Sequence, residues 1–379
     1  MIAIASAFTG AAGFIKKRSR AVFIIMLLLL WVIMAFTYGD ADENVYSSRY
    51  NNPELWTGNT ELLFGAMISL SRSFGLTYVQ FKAVVRAFQI ILIGAAVWRL
   101  AEYPNLVLLL YFIYPFAFNV TQIRNSLACS VFMFSWIFLL ADDDEQQNFP
   151  HTRPRFTVND LYYFICIVVA GFIHTSAFFW IILPFAKKCS MKLNIIIMAV
   201  LNILVISGAL TQLLLALTHL TGNYRLDFYL TPKASRHYSQ IVLALVPQFC
   251  TIAAGVVINR HREVFRPNSH LNTIIKLNII QIVLAGIIIK YTSEVYRMQE
   301  GLAVLNYIII LNSFDGRPMV YHGKPTELFR PRLLVIAILV FEFAAILLLV
   351  FCRWHQFEYI YAPIFENNIL QDAVYAALA

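Results

Sequence analysis

Residues 161–186 read LYYFICIVVAGFIHTSAFFWIILPFA, a nearly unbroken apolar run that contains a single histidine, His174. One membrane-crossing helix needs about 17 to 25 apolar residues, so this run of about 26 residues is either one long span or two short helices that meet at His174. The loop charges favour the pair. With two helices, the lysines and arginines divide into roughly 16 inside and about 10 outside, whereas a single span leaves about 13 on each side. We therefore predict two short helices with His174 at their outer junction.

The composition of the whole chain indicates that the bilayer is its main solvent. Hydrophobic residues make up 60% of the chain and charged residues only 13%, with a mean hydropathy of +0.68, whereas soluble domains carry about 25% charged residues. The net charge is +8, but the basic residues lie in short loops, where they set topology and meet lipid phosphates. We predict an all-α, polytopic integral membrane protein of about 10 to 11 transmembrane helices, with no nucleic-acid partner.

The other predicted spans follow from apolar runs of sufficient length. They lie near 21–38, 84–100, 104–121, 126–141, 193–217, 239–258, 272–291 and 332–351, with a shorter run at 301–313.

The chain is expected to form one membrane-embedded domain over residues 1–379. Residues 1–20 are placed in the cytoplasm, because a basic cluster precedes the first span and no small-x-small cleavage site follows it. Residues 40–83 form an extracytoplasmic loop with an amphipathic helix near 61–76, where apolar residues alternate with serines and an arginine. Residues 353–379 form a C-terminal tail.

Charged and aromatic side chains collect at the predicted outer ends of the helices. They include Asp42, Tyr46, Glu61, Arg124, His174, Tyr224, Arg225, Arg236, Tyr296 and Arg297. An arginine at a helix end suits a phosphate, because the planar guanidinium binds two oxygens at once and stays charged. Arg124 also opens a helix, whose dipole favours an anion. Position alone leaves two alternatives open: Arg124 snorkels to lipid headgroups, and His174 is a hydrogen-bonded packing residue.

The sequence contains none of the common cofactor and nucleotide motifs. GxxxxGK[ST], GxGxxG, HExxH and GxSxG are all absent. The driving force for any reaction is therefore expected to arrive with the substrate.

Several short motifs occur in a fixed order between the spans, and together they resemble the EpsG-type, Wzy-like polysaccharide polymerases from about residue 20 to 320. The motifs are Gly39-x-x-Asp42-x-x-x-Tyr46, Glu61-Leu62-Leu63-Phe64 before Gly75 and Phe81, Ile123-Arg124-Asn125 with Leu127-Ala128, His174-x-Ser176-Ala177, and Tyr296-Arg297 before Asn306-Tyr307. The resemblance weakens after residue 315.

The resemblance implies a GT-C-like glycosyltransferase that polymerises O-antigen or exopolysaccharide repeat units. The units are carried on undecaprenyl pyrophosphate, and they are joined at the outer (periplasmic) face of the bacterial inner membrane. The pyrophosphate would be held by the outer arginines Arg124, Arg297, Arg225 and Arg236, in a dry site that strengthens their charge.

The remaining roles follow from the same resemblance. Asp42 or His174 is the candidate base. The sugar-binding residues would be Tyr46, Glu61, Tyr224 and Tyr296. No cofactor is expected, although a divalent metal stays open. The partners would be the lipid-linked glycan, membrane lipid, a flippase and a chain-length regulator.

Two other functions would use a similar substrate. A flippase for lipid-linked oligosaccharide also needs a cationic interior, but it typically shows an internal repeat or helices broken near the midplane, and the sequence reveals no repeat. An O-antigen-type ligase typically has a large periplasmic loop late in the chain, whereas the loops at 218–238 and 290–300 are short. The polymerase is therefore favoured over both.

Overall fold

The computed structural model describes residues 18–52, 61–141, 156–209, 238–266, 268–291, 297–314, 325–352 and 357–378, with a few single positions besides. These residues form helices joined by short turns, and the β pairing among them is an isolated bridge between Thr37 and Asn368. Four helices are long and apolar enough to cross a membrane, at 78–100, 123–140, 271–290 and 329–349. Shorter apolar helices accompany them. The protein is an all-α polytopic membrane protein, as predicted.

The helices are numbered here in chain order. They are α1 (Arg20–Phe36), α2 (Glu43–Asn51), α3 (Leu62–Ser73), α4 (Tyr78–Leu100), α5 (Pro104–Ile113), α6 (Phe116–Thr121), α7 (Ile123–Leu140), α8 (Val158–Ile173), a 3-10 helix (Thr175–Ile182), α9 (Leu183–Lys188), α10 (Met191–Ser207), α11 (Tyr238–Arg260), α12 (Leu271–Gln281), α13 (Val283–Lys290), α14 (Arg297–Asn312), α15 (Pro325–Cys352), a π-helical turn (Phe357–Tyr361), α16 (Ala362–Glu366) and α17 (Ile369–Leu378).

The chain forms two compact units. Unit 1 comprises residues 1–181, 301–315 and 350–379, and unit 2 comprises residues 182–300 and 316–349. Among the predicted site residues that the structure describes, all except Arg297 belong to unit 1.

Unit 1 is built from antiparallel helices whose ends are tied by polar side chains. Arg18, just before α1, donates to the carbonyl of Trp98 near the end of α4, at 2.6 Å. At the other end of this pair, Lys82 in the first turns of α4 donates to the carbonyl of Thr37 at 2.6 Å. Helix α4 packs against α7, and α7 packs against α8. We call the end that holds Thr37, the first turns of α4 and α7, and the last turn of α8 the Thr37 end.

Helix α4 begins at Tyr78, six residues before the predicted start at 84. Thr77 caps it: its hydroxyl accepts from the Gln80 N–H at 3.3 Å, and the Gln80 side chain accepts from the Thr77 N–H at 2.8 Å. This capping box satisfies two backbone donors that would otherwise be unpaired. Lys82 thus lies inside the helix rather than before it.

Two predicted runs are interrupted in unit 1. The run 104–121, predicted as one span, is divided at Tyr114-Pro115 into α5 and α6, where the proline lacks the N–H that would continue the helix. The predicted break at His174 is confirmed, because His174 has extended backbone angles (φ −148°, ψ 115°). The Tyr163 hydroxyl then donates to the Trp180 carbonyl at 2.7 Å, so the chain returns alongside α8.

The predicted C-terminal tail is mostly helical in its described part, residues 357–378, and it packs against the end of α1. The N–H of Tyr38 donates to the Asn367 carbonyl at 3.3 Å, and the N–H of Ala41 donates to the Tyr359 carbonyl at 3.2 Å. The Tyr38 hydroxyl adds a bond to Asp372 at 3.0 Å. The C-terminal segment therefore lies at the Thr37 end.

Unit 2 is a second set of apolar helices. Helix α10 packs on α12 and α13, and α11 packs on α12. The predicted span 272–291 is divided at Ile282 into α12 and α13, and α11 contains an internal proline, Pro247.

Candidate active site

Three helix termini of unit 1 bring Glu61, Arg124 and His174 together. Glu61 precedes α3 as its N-cap residue, Arg124 lies in the first turn of α7, and His174 is the C-cap of α8. One carboxylate oxygen of Glu61 pairs with Arg124 Nη1, and the other lies 2.5 Å from His174 Nδ1. Glu61 is 6% exposed, whereas Arg124 and His174 are 19% and 25% exposed. A buried carboxylate thus orients two partly exposed groups.

The surroundings keep Glu61 ionised. Burial raises the pKa of this carboxyl, but the hydrogen bond from His174 and the charge of Arg124 outweigh it and hold the pKa below its usual 4.5. An ionised carboxylate on Nδ1 fixes the imidazole tautomer and stabilises an imidazolium, and it leaves Nε2 to exchange a proton. The pair has the arrangement of a general base with its orienting group.

Tyr46 holds the Arg124 guanidinium from the other side. Its hydroxyl accepts from Arg124 Nε at 3.3 Å, and the guanidinium carbon lies 5.3 Å from the centroid of its ring. Tyr46 is 8% exposed and packs edge-on against Phe64. Two partners therefore fix the plane of the guanidinium, which a lysine ammonium could not reproduce. The predicted sugar-binding residues Tyr46 and Glu61 both support Arg124 in this structure.

Asp42, the other candidate base, lies beside a second charged cluster. It is the N-cap residue of α2, and its N–H donates to the Asp40 carboxylate at 3.1 Å. The carboxylates nearest to Lys82 are those of Glu43, at 2.6 Å, and Asp40, at 3.9 Å. Lys82 and Asp40 are buried, whereas Asp42 is half-buried.

Asp40 has an unusually weak acidity for a loop aspartate. Burial raises the pKa of this carboxyl to about 6, although the charge of Lys82 lowers it in part and that of Glu43 raises it further. Asp40 thus changes charge close to neutral pH, at the edge of the site.

Arg86 is a structural residue of the site that sequence reasoning missed. It lies within α4 and is 1% exposed. Its guanidinium donates to the carbonyls of Asn119 (2.8 Å) and Val120 and to the Ser126 hydroxyl (2.7 Å). These carbonyls end α6, where a positive charge is favoured, so Arg86 fixes the joint from which α7 and Arg124 start. The sequence does indicate a role for this residue, because an arginine within an apolar run is rare unless it has a structural or functional role.

The remaining predicted residues do not all lie in the described part of the chain. Arg297 is half-buried at the start of α14 and belongs to unit 2. The residues outside the described ranges are Arg225, Arg236, Tyr224 and Tyr296, and their roles stay predictions. Within the ranges that the structure describes, no three metal-ligating side chains converge. The positive charges seen closest to the candidate site at the Thr37 end include those of Arg124, Lys82 and the nearby Arg86.

Comparison with known proteins identifies the family of the chain. The EpsG family model matches residues 20–360, most of the chain. This chain belongs to the EpsG family. The matched region contains every candidate site residue and extends beyond residue 315, where the sequence resemblance had weakened. No curated protein and no solved structure matches the chain. Membership of the EpsG family supports a polysaccharide polymerase-type role.

Proposed function

We propose that this protein joins oligosaccharide repeat units carried on undecaprenyl pyrophosphate at the outer face of the bacterial inner membrane. The observation that carries the proposal is the pairing of Glu61 with both Arg124 and His174 in a member of the EpsG family. Glycosyl transfer from a pyrophosphate donor needs a cation at the leaving group and a base at the acceptor hydroxyl. Glu61 contacts one group of each kind, Arg124 and His174. Arg225, Arg236 and Arg297 are proposed as further pyrophosphate-binding cations.

The proposed step transfers the growing glycan from its lipid to a new lipid-linked unit. His174 Nε2 accepts the proton of the acceptor hydroxyl while that oxygen bonds to the anomeric carbon of the donor. The bond from this carbon to the pyrophosphate oxygen breaks, and undecaprenyl pyrophosphate leaves with the electron pair. Arg124 neutralises the charge that develops on the leaving group, and Glu61 stabilises the imidazolium. No nucleotide-sugar is consumed.

The test uses the purified protein in lipid nanodiscs, with lipid-linked repeat units as the only substrate. Wild type should produce a ladder of longer glycans. Arg124→Ala and His174→Ala should each lower the rate by about 100-fold or more, and Arg124→Lys should also be impaired because it loses the contact with Tyr46. Arg99→Ala, which removes an exposed arginine at the opposite end of α4, is the matched control and should retain the rate. Full activity in the Arg124 and His174 variants would refute these roles.

Transport of the lipid-linked glycan is the second candidate, and one observation in unit 2 favours it. Pro247 interrupts the hydrophobic segment of α11, as in the proline-interrupted segments of transporters, whereas Ile282 keeps helical angles (φ −58°, ψ −20°) between α12 and α13. Gln248 and Gln281 are buried, and neither amide bonds to any partner in the described residues. Cells that lack a polymerase should display single repeat units outside, whereas cells that lack a flippase should trap them inside. Trapped units, together with no ladder in nanodiscs, would replace the polymerase with a transporter.

A further inference from the structure

A cavity of about 630 Å³ opens at the Thr37 end of unit 1, within the usual volume range of ligand sites. Its described walls come from α2, the end of α3, the start of α4 and α17. Helix α2 is shared with the active site, because Tyr46 contacts Arg124 while Tyr50, one turn further on, lines the cavity. Four residues rise about 6 Å along a helix, so the cavity lies next to the reaction centre proposed above.

The wall combines aromatic rings with small polar groups. The rings of Tyr50 and Tyr78 lie 5.9 Å apart, and Tyr50 is held by its hydroxyl, which donates to the Leu76 carbonyl at 2.6 Å. Ser47 and Asn51 add a hydroxyl and an amide from α2. Tyr50 and Tyr78 are buried, whereas Tyr38, which also lines the cavity, is 40% exposed. An exposed aromatic face can cover the C–H surface of a sugar ring while hydroxyl and amide groups bond to its hydroxyls. The lining therefore suits a saccharide better than a purely apolar ligand.

The cavity wall carries one charged side chain of each sign, Glu43 and Arg72, and the two differ in their partners. Glu43 pairs with Lys82 at 2.6 Å, and Lys82 also lies 3.9 Å from Asp40. Arg72, in the last turn of α3, also lines the cavity, is exposed, and forms no ion pair with any described residue. An arginine without an acidic partner can bind a carboxylate through two parallel hydrogen bonds.

We propose that this cavity is a saccharide subsite in which Arg72 binds a carboxylate substituent of the glycan. The inference rests on the proposed function and narrows its substrate class to acidic polysaccharide. A sugar held between α2 and α4 places the neighbouring residue of the glycan chain beside Arg124 and His174. The subsite thus positions the glycan through its carboxylate, which lies away from the new glycosidic bond.

The test measures binding of a defined probe to the full-length protein in phosphatidylcholine nanodiscs. The probe is the repeat-unit oligosaccharide released by mild acid from the lipid carrier of a strain that lacks this protein. Arg72→Gln should weaken binding about 10-fold or more, the loss expected for a charge-assisted hydrogen bond. Asn51→Asp, which places a competing carboxylate in the wall, should weaken binding similarly. Arg99→Gln, the matched control, should bind like wild type.

Reduction of the carboxyl groups of the probe completes the design. The reduced probe should bind wild type as weakly as Arg72→Gln binds the native probe, and Arg72→Gln should not weaken its binding further. Equal binding of the native probe to wild type, Arg72→Gln and Asn51→Asp would overturn the proposal, as would no binding to wild type. Displacement of the probe by added phosphatidylglycerol would overturn it in favour of a lipid headgroup.

The two proposals fail in different ways. If wild type builds a ladder but Arg72→Gln leaves the KM for the lipid-linked unit unchanged, the subsite is wrong and the polymerase stands. If the probe binds through Arg72 but no ladder forms, the polymerase is wrong and the acidic-saccharide site stands.

Discussion

At the scale of single residues, Glu61 is the group on which the candidate site depends. It is separated in sequence from Arg124 by 63 residues and from His174 by 113. The sequence identified each of the three as a candidate, because charged groups at the ends of apolar runs are costly and therefore informative. It assigned Glu61 to sugar binding, since no local pattern indicates that one carboxylate reaches two distant helices. Pairing between elements is set by tertiary packing, which spacing along one helix does not encode.

Glu61→Gln should disable the site while preserving its shape. The amide removes the negative charge that orients Arg124 and stabilises a His174 imidazolium, so the polymerisation rate should fall by about 100-fold or more. The rate is read from the glycan ladder, and membrane abundance is measured alongside it. Glu366→Gln, which alters an exposed glutamate of unit 1, should leave the rate unchanged. An undiminished rate in Glu61→Gln would show that the shared carboxylate is not needed.

Asp40→Asn should change the pH dependence of stability. The pKa of Asp40 is raised by burial to about 6 from 3.8, so between these values the folded protein binds more protons than the unfolded chain. Its free energy of unfolding therefore falls as pH rises from about 4 to 6, by up to about 3 kcal/mol. The neutral amide of the variant carries no such penalty, so the variant should match wild type near pH 4 and exceed its melting midpoint above pH 6. A difference in midpoint that does not vary with pH would contradict the assignment.

At the scale of the elements, the sequence located the spans better than their ends and breaks. Composition identifies an apolar run, but it does not mark where the helix begins, and the predicted start at 84 excluded Lys82. The structure supplies Glu43 as its partner, and this tertiary contact lets α4 begin at Tyr78. The helical C-terminal segment was missed for a related reason. Its moderately polar sequence does not by itself predict a packed helix. The surface on which it packs is the end of α1, which is more than 300 residues away in the sequence.

Gly301→Ala should test how closely α14 approaches the core of unit 1. A Cβ added at this position would lie 2.8 Å from Phe132 and 3.2 Å from Trp180. Both rings are fully buried and stacked 4.0 Å apart, so neither can move easily. Overpacking of this kind costs about 1 to 3 kcal/mol, and the melting midpoint in detergent should fall.

Gly65→Ala is the matched control for this prediction. Gly65 lies inside α3, and an added Cβ there meets nothing within 4 Å. Alanine favours a helix over glycine by up to about 1 kcal/mol, so this variant should be as stable as wild type or more stable. Equal midpoints for the two variants would mean that α14 does not contact the stacked rings as described.

At the scale of the whole molecule, the two ends of unit 1 carry the topological information. The segment 357–378 contacts residues 37–41, which follow the first span. If unit 1 crosses the membrane as its helices indicate, the chain between these segments crosses an even number of times. The apolar runs predict about 10 to 11 spans, and an even number between these segments makes the total odd, which agrees with eleven. With the N-terminus in the cytoplasm as predicted, we expect the C-terminal segment on the outer side. Sequence charge alone could not decide this, because the segment 357–378 contains no lysine or arginine.

Single-cysteine labelling in spheroplasts tests this arrangement. In a background with Cys129, Cys166, Cys189, Cys250 and Cys352 changed to serine, Asn51→Cys and Ala376→Cys should both react with an impermeant thiol reagent, because both are exposed at the Thr37 end. Ala141→Cys lies exposed after α7, at the opposite end, and should react only after permeabilisation. Continued polymer production in each variant is the control for folding. Opposite labelling of positions 51 and 376 would contradict the contact between the C-terminal segment and α1. Labelling of both only after permeabilisation would keep that contact but turn the candidate site toward the cytoplasm, where the proposed donor would not meet it.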